Sequence, residues 1–222
     1  EAWGHSGDDR IEGNDGSDTI YGNMGSATLL GGAGDDTLSG GQHADSLLGG
    51  DGADTFVLAD SFGSDTIIGG EGGTDDDLID LSSHTGPVTV TFTGPEEGTI
   101  TDGVDTLDFS EIERFILTDQ ADLFDATLDS SGVVVDAADG NDTVYTGTGA
   151  DSVALGDGSD TVVGSSGADT LDGGTGFDEA NYFSSDAGVN IDLSDSVAES
   201  GGWAQGDSLS GFEEIDGSNA YG

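Results

Sequence analysis

An apolar residue recurs every nine positions in two stretches of the chain, and a glycine-rich run separates each one from the next. In the first stretch these residues are Ile11, Ile20, Leu29, Leu38, Leu47 and Phe56, and in the second they are Val144, Val153, Val162, Leu171 and Ala180. Residues 31–39, "GGAGDDTLS", show one whole unit. The last three residues of the unit favour a short strand with one inward side chain. The glycines before them suit a turn that needs positive φ.

Two consecutive units form one coil of the predicted fold. A strand, a turn, a strand and a turn take up eighteen residues, which is one coil of a flattened right-handed solenoid. Units n and n+2 then stack on the same side, about 4.8 Å apart. The sequence therefore predicts an all-β fold, a right-handed parallel β-roll (β-solenoid) in two arrays, each followed by a β-rich insert without the repeat.

The nine-residue period divides the chain into four predicted segments. They are a first roll at 1–74, an insert at 75–118, a second roll at 119–181 and a second insert at 182–222. In the first insert we predict strands at 88–92, 98–101 and 106–109, and residues 109–117 fit either a helical turn or a strand. Residues 187–193, "AGVNIDL", parallel residues 86–92, "GPVTVTF". Because the pattern is cut at both ends, we expect the chain to be an excerpt of a longer protein.

The sixth position of the unit is almost always an aspartate. These residues are Asp9, Asp18, Asp36, Asp45, Asp54 and Asp65 in the first array, and Asp142, Asp151, Asp160, Asp169 and Asp178 in the second. Stacking of the coils brings them close together, and two carboxylates at 4 Å repel by about 4 kcal/mol at an effective dielectric constant of 20. A column of them therefore needs cations between its members. Ala27 interrupts the column of Asp9 and Asp45, which we expect to bind cations weakly or not at all there.

Calcium is the cation that suits these turns best. It accepts six to eight oxygen ligands at about 2.3–2.6 Å in a forgiving geometry, and glycine turns expose the main-chain carbonyls that it needs. Magnesium demands a strict octahedron and loses water reluctantly. Zinc prefers histidine and cysteine, and the chain has no cysteine.

The units resemble the RTX (repeats-in-toxin) nonapeptide G-G-x-G-x-D-x-U-x, over about residues 4–70 and 137–181. The resemblance implies that the sixth-position aspartates bind calcium together with carbonyls of turn glycines, which here are Gly16, Gly34, Gly52, Gly140, Gly158 and Gly176. It also implies export through a type I secretion channel and calcium-triggered folding outside the cell. Intact same-side pairs predict at least six calcium ions. The pairs are Asp18 with Asp36, Asp36 with Asp54, Asp45 with Asp65, Asp142 with Asp160, Asp160 with Asp178 and Asp151 with Asp169.

The acidic composition of the chain increases its need for bound cations and excludes nucleic acid and anionic membranes as partners. The formal net charge is −45, only two residues are Lys or Arg, and 33% are hydrophobic. Such a chain is expected to be disordered unless cations compensate for the small apolar core. A surface with so few cationic side chains does not suit nucleic acid or an anionic membrane. No apolar run is long enough for a membrane-spanning helix.

Three functions fit the sequence. The leading hypothesis is an extracellular calcium-binding roll, secreted or at the cell surface, that has a structural or secretion-assisting role in a larger exported protein. The second is a surface-layer or adhesin segment that self-associates or binds polysaccharide through aromatic residues, for which the candidates are Trp3, Tyr182, Trp203 and Tyr221. The third is a non-catalytic C-terminal module of an exported hydrolase, lyase or epimerase. We do not expect enzymatic activity, because the three histidines are widely spaced and neither H-E-x-x-H nor G-x-S-x-G occurs.

Overall fold

The computed structural model describes residues 1–73, 76–193 and 198–219. Its first thirteen strands are β1 Ala2–Trp3, β2 Arg10–Asp15, β3 Thr19–Met24, β4 Thr28–Ala33, β5 Thr37–Gln42, β6 Ser46–Asp51, β7 Thr55–Ala59, β8 Thr66–Ile68, β9 Leu78–Ser83, β10 Thr89–Gly94, β11 Glu97–Thr101, β12 Thr106–Ser110 and β13 Arg114–Ile116. The later strands are β14 Leu123–Asp125, β15 Val134–Asp136, β16 Asp139–Gly140, β17 Thr143–Tyr145, β18 Ser152–Ala154, β19 Asp157–Gly158, β20 Thr161–Val163, β21 Thr170–Asp172, β22 Thr175–Gly176, β23 Glu179–Asn181, β24 Ser208–Ser210 and β25 Glu214–Asp216. A short 3₁₀ helix covers Gly202–Ala204.

The chain forms two compact units, one of Glu1–Val88 with Glu96–Ile116 and the other of Thr89–Pro95 with Leu117–Gly222. In the first unit, β1, β3, β5, β7, β9 and β13 form one parallel stack, and β2, β4, β6, β8 and β12 form the other. Successive strands thus alternate between two sheets, as eighteen-residue coils require. The predicted all-β roll of parallel strands is confirmed.

The second unit repeats this arrangement. Strands β15, β18, β21 and β24 form one parallel stack, and β10, β14, β17, β20, β23 and β25 form the other. Short strands β16, β19 and β22 pair in a third sheet at the turns. None of the helical structure in the described ranges has the length and apolar character that crossing a membrane requires.

The recurring apolar residue of each unit fills the space between the two sheets. Leu38 pairs with Ile20 on one side and Phe56 on the other, and all three are at most 1% exposed. In the second unit Val162 lies between Val144 and Ala180 in the same way. Each coil therefore adds two inward side chains to a continuous core, so no coil buries its apolar face without its neighbours.

Strands β2–β7 of the first array have five or six residues, where the sequence predicted three, and β8 has three. In β5 the ladder continues from the apolar residue through two glycines and Gln42. The glycines allow this because neighbouring backbones approach too closely for a side chain. A Cβ atom built on Gly50 would lie 2.1 Å from the carbonyl oxygen of Gly32 in the preceding coil. Strands β17, β18, β20 and β21 of the second array keep the predicted three residues.

Except for β10, which belongs to the second unit, the first insert continues the parallel stacks of the first unit. β9 pairs with β7, and β13 pairs with β9, so that Phe115, Ile79 and Phe56 follow one another in the core. β12 pairs with β8 and carries β11 as an antiparallel hairpin partner. The strands predicted at 98–101 and 106–109 are thus present, and residues 109–117 contain strand β13 rather than a helical turn.

The second insert is only partly a copy of the first. β24 and β25 follow the last repeats, as β12 and β13 do in the first unit. Residues 187–193 contain no strand to match β10. Within the described residues, Asn190 makes an isolated antiparallel bridge to Ser200 instead. Val189 and Ile191 are only half-buried, so the alternating pattern lacks the covered face that stabilises a strand.

We predict that Gly50→Ala destabilises the roll more than Gly7→Ala does. Both glycines have strongly positive φ, 120° at Gly50 and 118° at Gly7. A Cβ atom at Gly7 has no heavy atom of the described residues within 4 Å, whereas the Gly50 Cβ atom meets the Gly32 carbonyl. Urea denaturation at saturating calcium should show a loss of about 1–3 kcal/mol for Gly7→Ala and about 2–6 kcal/mol for Gly50→Ala. Equal losses would show that φ alone, and not the close approach of the coils, makes glycine necessary.

Candidate metal centre

The sixth-position aspartates lie where each turn enters a strand, and most of them are buried. Exposure is at most 4% for the following residues: Asp36, Asp45, Asp54, Asp65, Asp142, Asp151, Asp160, Asp169 and Asp178. Asp9 and Asp18, in the first coils, are half-buried. Ala27 occupies the same kind of place and is 3% exposed. Neighbouring coils therefore remove from water a set of groups that normally stay on the surface.

One oxygen of each buried aspartate is held by the preceding coil. The main-chain N–H of Asp18 donates to Oδ1 of Asp36, and that of Asp36 donates to Oδ1 of Asp54, both at 2.7 Å. The second unit repeats the contact between Asp142 and Asp160, also at 2.7 Å. Because each bond spans eighteen residues, it links one coil to the next on the same side. The stacked aspartates of one side therefore form a hydrogen-bonded column along the roll.

The other oxygen of these side chains is buried and has no hydrogen-bond partner among the described residues. This holds for Oδ2 of Asp9, Asp36, Asp45, Asp54, Asp65, Asp142, Asp151, Asp160, Asp169 and Asp178. An ionised oxygen that loses water without gaining a donor is strongly unfavourable. Each of these atoms therefore requires either a proton or a cation.

In the first array, glycine at the first position of the unit leaves open the space beside this oxygen. A Cβ atom built on Gly31 would lie 2.3 Å from Oδ2 of Asp36 and 2.6 Å from the carbonyl oxygen of Gly49. On Gly49 it would lie 2.2 Å from Oδ2 of Asp54 and 2.6 Å from the carbonyl oxygen of Gly69. A carboxylate oxygen and a main-chain carbonyl of the following coil thus face the same small space. Any larger residue would fill it.

The six turn glycines predicted from the sequence stack eighteen residues apart within each array. Gly16, Gly34, Gly52, Gly140 and Gly176 have φ between 105° and 155°, and Gly158 does not have positive φ. A Cβ atom on Gly52 would lie 2.6 Å from the carbonyl oxygen of Gly34, and one on Gly158 would lie 1.8 Å from that of Gly140. Main-chain carbonyls of successive turns therefore lie close together. His43 takes the equivalent position in its turn and adopts φ 83°.

This arrangement suits a cation that binds main-chain oxygens. Across the described residues, no three His, Cys, Asp or Glu side chains gather into a metal-binding group. A cation here would draw one or two carboxylate oxygens from the columns and its remaining ligands from glycine-turn carbonyls. Calcium accepts such a set, whereas zinc requires nitrogen or sulfur ligands. The donors present thus fit calcium.

Burial also changes the acidity of the columns. It raises the pKa of Asp54 and Asp151 to about 6 and that of Asp65, Asp142 and Asp169 to about 7, with neighbouring carboxylates as a further cause. Hydrogen bonds from the preceding coil act in the opposite direction. For these five carboxylates, one N–H donor therefore does not compensate for the water that burial removes.

Where the repeat is lost, the chain supplies its own donors to the equivalent aspartates. Oδ2 of Asp207 accepts a hydrogen bond of 2.6 Å from the buried Tyr182 hydroxyl, and its Oδ1 accepts the N–H of Asp169. Oδ2 of Asp122 accepts 2.8 Å and 2.9 Å bonds from the N–H and Oγ1 of Thr118. These side chains are the internal comparison for the repeats, since their second oxygen has a protein donor.

Sequence reasoning left several members of the columns out of the predicted site. Asp77 and Asp207 continue the columns, accepting the N–H groups of Asp54 and Asp169. Glu113 and Glu213 then accept those of Asp77 and Asp178. The intervals of 23 to 38 residues hide these positions from a nine-residue period. The signal that remains is an acid two residues before a core residue, as in Asp77-Leu78-Ile79.

The chain was compared with known proteins. The model of the RTX calcium-binding nonapeptide repeat matches in four copies, at residues 3–26, 21–56, 134–162 and 145–180. No curated protein matches the chain. The matched residues contain most of the hydrogen-bonded aspartates described above, and repeats of this family bind calcium in a β-roll. The chain therefore contains RTX calcium-binding nonapeptide repeats, at residues 3–56 and 134–180.

Proposed function

We propose that this calcium-binding β-roll is an extracellular module that folds when it binds calcium after type I secretion, as a structural part of a larger exported protein. The observation that supports it is the set of buried Oδ2 atoms without a hydrogen-bond partner among the described residues; in the first array, those of Asp36 and Asp54 lie beside a glycine and a carbonyl of the following coil. Extracellular modules bind calcium with dissociation constants near 10⁻⁴–10⁻³ M, which is far above cytosolic free calcium. The chain would then remain an extended polyanion inside the cell, and outside it the coils would stack.

The proposed ligands are the sixth-position aspartates of both arrays together with the six turn glycines named above. Six same-side pairs of intact aspartates support at least six ions. The hydrogen-bonded contacts Asp18–Asp36, Asp36–Asp54 and Asp142–Asp160 are examples of such pairs. Each site occupied at about 100 times its dissociation constant adds roughly 2.7 kcal/mol to the stability of the folded state. Calcium would thereby compensate for the mutual repulsion of the columns.

A calcium titration followed by far-ultraviolet circular dichroism tests this function. In chelator we expect an unfolded spectrum, and at millimolar calcium a cooperative change to a β spectrum. Asp36→Asn should shift the midpoint to higher calcium and lower the unfolding free energy at saturation by about 2–3 kcal/mol. The amide keeps an acceptor for the Asp18 N–H but loses the anionic oxygen.

The matched control for this variant is Asp15→Asn, which changes an exposed aspartate in the same array. It should leave the calcium midpoint close to that of the wild type. A chain that is fully folded in chelator would contradict the proposed function. Equal shifts in the two variants would mean that only the total charge matters, and not the position in the column.

Ala27→Asp should add calcium to the interrupted column. Ala27 already donates its N–H to Oδ1 of Asp45 at 2.6 Å, so the backbone there has the geometry of the other coils. We expect native mass spectrometry to show one or two more bound ions than in the wild type. The variant should be more stable than the wild type at saturating calcium and less stable in chelator, because it buries another carboxylate. An unchanged ion count would show that the first coils do not form sites.

Calcium binding should weaken as the pH falls. The pKa of the Asp65, Asp142 and Asp169 carboxyls is raised from 3.8 to about 7 in the fold. Without calcium, their contribution to stability is therefore fully present below about pH 4 and is lost as the pH rises through about 7. We expect more β structure in chelator at about pH 5 than at about pH 8, and a higher calcium midpoint at about pH 5. A calcium midpoint that does not change with pH would contradict competition between protons and calcium.

A further inference from the structure

A cavity of about 270 Å³ in the second unit differs from the rest of this acidic chain. None of the described residues that line it carries a charge, although the chain has 47 Asp and Glu residues. Two aromatic side chains, Tyr145 and Trp203, form part of its wall, and exposed hydroxyl residues such as Thr127, Thr148 and Ser166 form much of the remainder. A neutral recess on so acidic a surface indicates a ligand that is itself uncharged.

The roll and the second insert each contribute one aromatic ring. Tyr145 ends β17 and is half-buried on the outer face, since its neighbour Val144 points into the core. It pairs in register with Val163, which also lines the cavity. Trp203 lies in the 3₁₀ helix Gly202–Ala204, and Ala204 is fully buried. The main-chain N–H of Trp203 donates to Oγ of Ser185 at 3.0 Å, and this bond holds the short helix in place.

Aromatic rings and hydroxyl groups together suit the two kinds of surface on a sugar. A pyranose presents an apolar face of C–H groups and a rim of hydroxyl groups. The ring of a Trp or Tyr residue covers the apolar face and keeps its own polar group free for hydrogen bonds. Threonine and serine hydroxyls both donate and accept, so those of Thr148 and Ser166 match sugar hydroxyls in either role. Thr127 Oγ1 already donates to Oδ1 of Asp125 at 2.7 Å and is left as an acceptor.

The electrostatics select the neutral members of this ligand class. A net charge of −45 repels anionic ligands, and cations have the carboxylates elsewhere on the surface as better partners. The cavity is slightly smaller than the ~300–1,000 Å³ of sites for drug-sized molecules, and this size suits one or two sugar rings. We propose that the cavity between Tyr145 and Trp203 binds a neutral saccharide, a function beyond that of the calcium sites.

The binding experiment uses the calcium-loaded chain and its own fluorescence. The chain has two tryptophans, so Trp3→Phe leaves Trp203 as the only indole. Cellohexaose, maltohexaose, laminarihexaose and xylohexaose are titrated as neutral probes, and hexagalacturonate is the acidic comparison. We expect a saturable change of Trp203 fluorescence at millimolar or lower concentration with at least one neutral probe, and none with hexagalacturonate. The absence of a saturable response to every neutral probe would overturn the proposal, as would an equal response to the acidic one.

Variants then locate the site by calorimetry with the best probe. Tyr145→Ala and Trp203→Ala should each weaken binding at least tenfold, and Tyr145→Phe should retain most of the affinity because the ring remains. Phe177→Ala is the control, since Phe177 is 56% exposed and does not line the cavity. The calcium-induced circular dichroism spectrum of each variant reports whether it folds. Equal weakening by Phe177→Ala would overturn the proposal.

Sedimentation velocity separates saccharide binding from self-association at the same surface. Without saccharide, the wild type and Trp203→Ala should sediment alike. If the wild type forms a dimer that Trp203→Ala abolishes, and no neutral probe binds, the cavity is a contact between copies of the chain and the saccharide proposal is wrong. Calcium-dependent folding would remain intact in that case, so failure here is distinct from failure of the calcium function.

Discussion

The hydrogen bond from a main-chain N–H to an aspartate eighteen residues later is the interaction on which the rest of the structure depends. It joins the Asp36 N–H to Oδ1 of Asp54 and is repeated through both arrays. The bond explains why this position holds an aspartate. One carboxylate oxygen accepts the N–H of the preceding coil, and the second oxygen remains for another partner. In the intact units the bond joins residues eighteen apart, and where the chain inserts extra residues, as before Asp65 and Asp207, the same bond is kept across a longer interval. In the first array, a glycine beside the second oxygen then leaves room for a cation that a larger side chain would occupy.

The aspartates at the margins of the repeats show what the second oxygen requires. Tyr182 donates to Asp207 and Thr118 donates to Asp122, and both acceptors lie outside the intact units. Glutamates take over the accepting role after each array, at Glu113 and Glu213. At Asp207 and Asp122 the chain thus supplies protein donors to the second oxygen. Within the repeats, protein donors of this kind do not reach Oδ2 of the aspartates described above. This contrast, more than the total charge, indicates that a cation belongs to the repeats.

Much of this arrangement could be predicted from the sequence, because a nine-residue period fixes both strand and turn. Leu38 and Val162 are buried core residues as their positions require, and Asp36 and Asp160 are buried at the turns. The acids of the inserts were missed because Asp77 and Asp207 follow irregular intervals. A sequence period detects only residues at equal spacing along the chain. The column requires that its acids occupy matching positions in neighbouring coils, and an insertion that loops out of the coil leaves those positions unchanged. The third sheet of β16, β19 and β22 was also missed, since it depends on backbone contacts between turns.

The variation between positions within the repeat indicates which contact sets the shape of the coil. The core position ranges from Ala180 to Phe56, and each of these residues is fully buried in its stack. The acid position varies only at Ala27 among the units of the two arrays. The methyl group of Ala180 and the phenyl ring of Phe56 differ too much in size to set the same distance between the two sheets. The core residues therefore fill the space that the backbone leaves and do not determine it. The aspartate side chain and its bond to the preceding coil join strands of the same sheet, so they fix how each coil stacks on the next whatever side chain fills the core. The apolar column therefore adapts to the polar one, and stability passes along the roll through the turns as much as through the core.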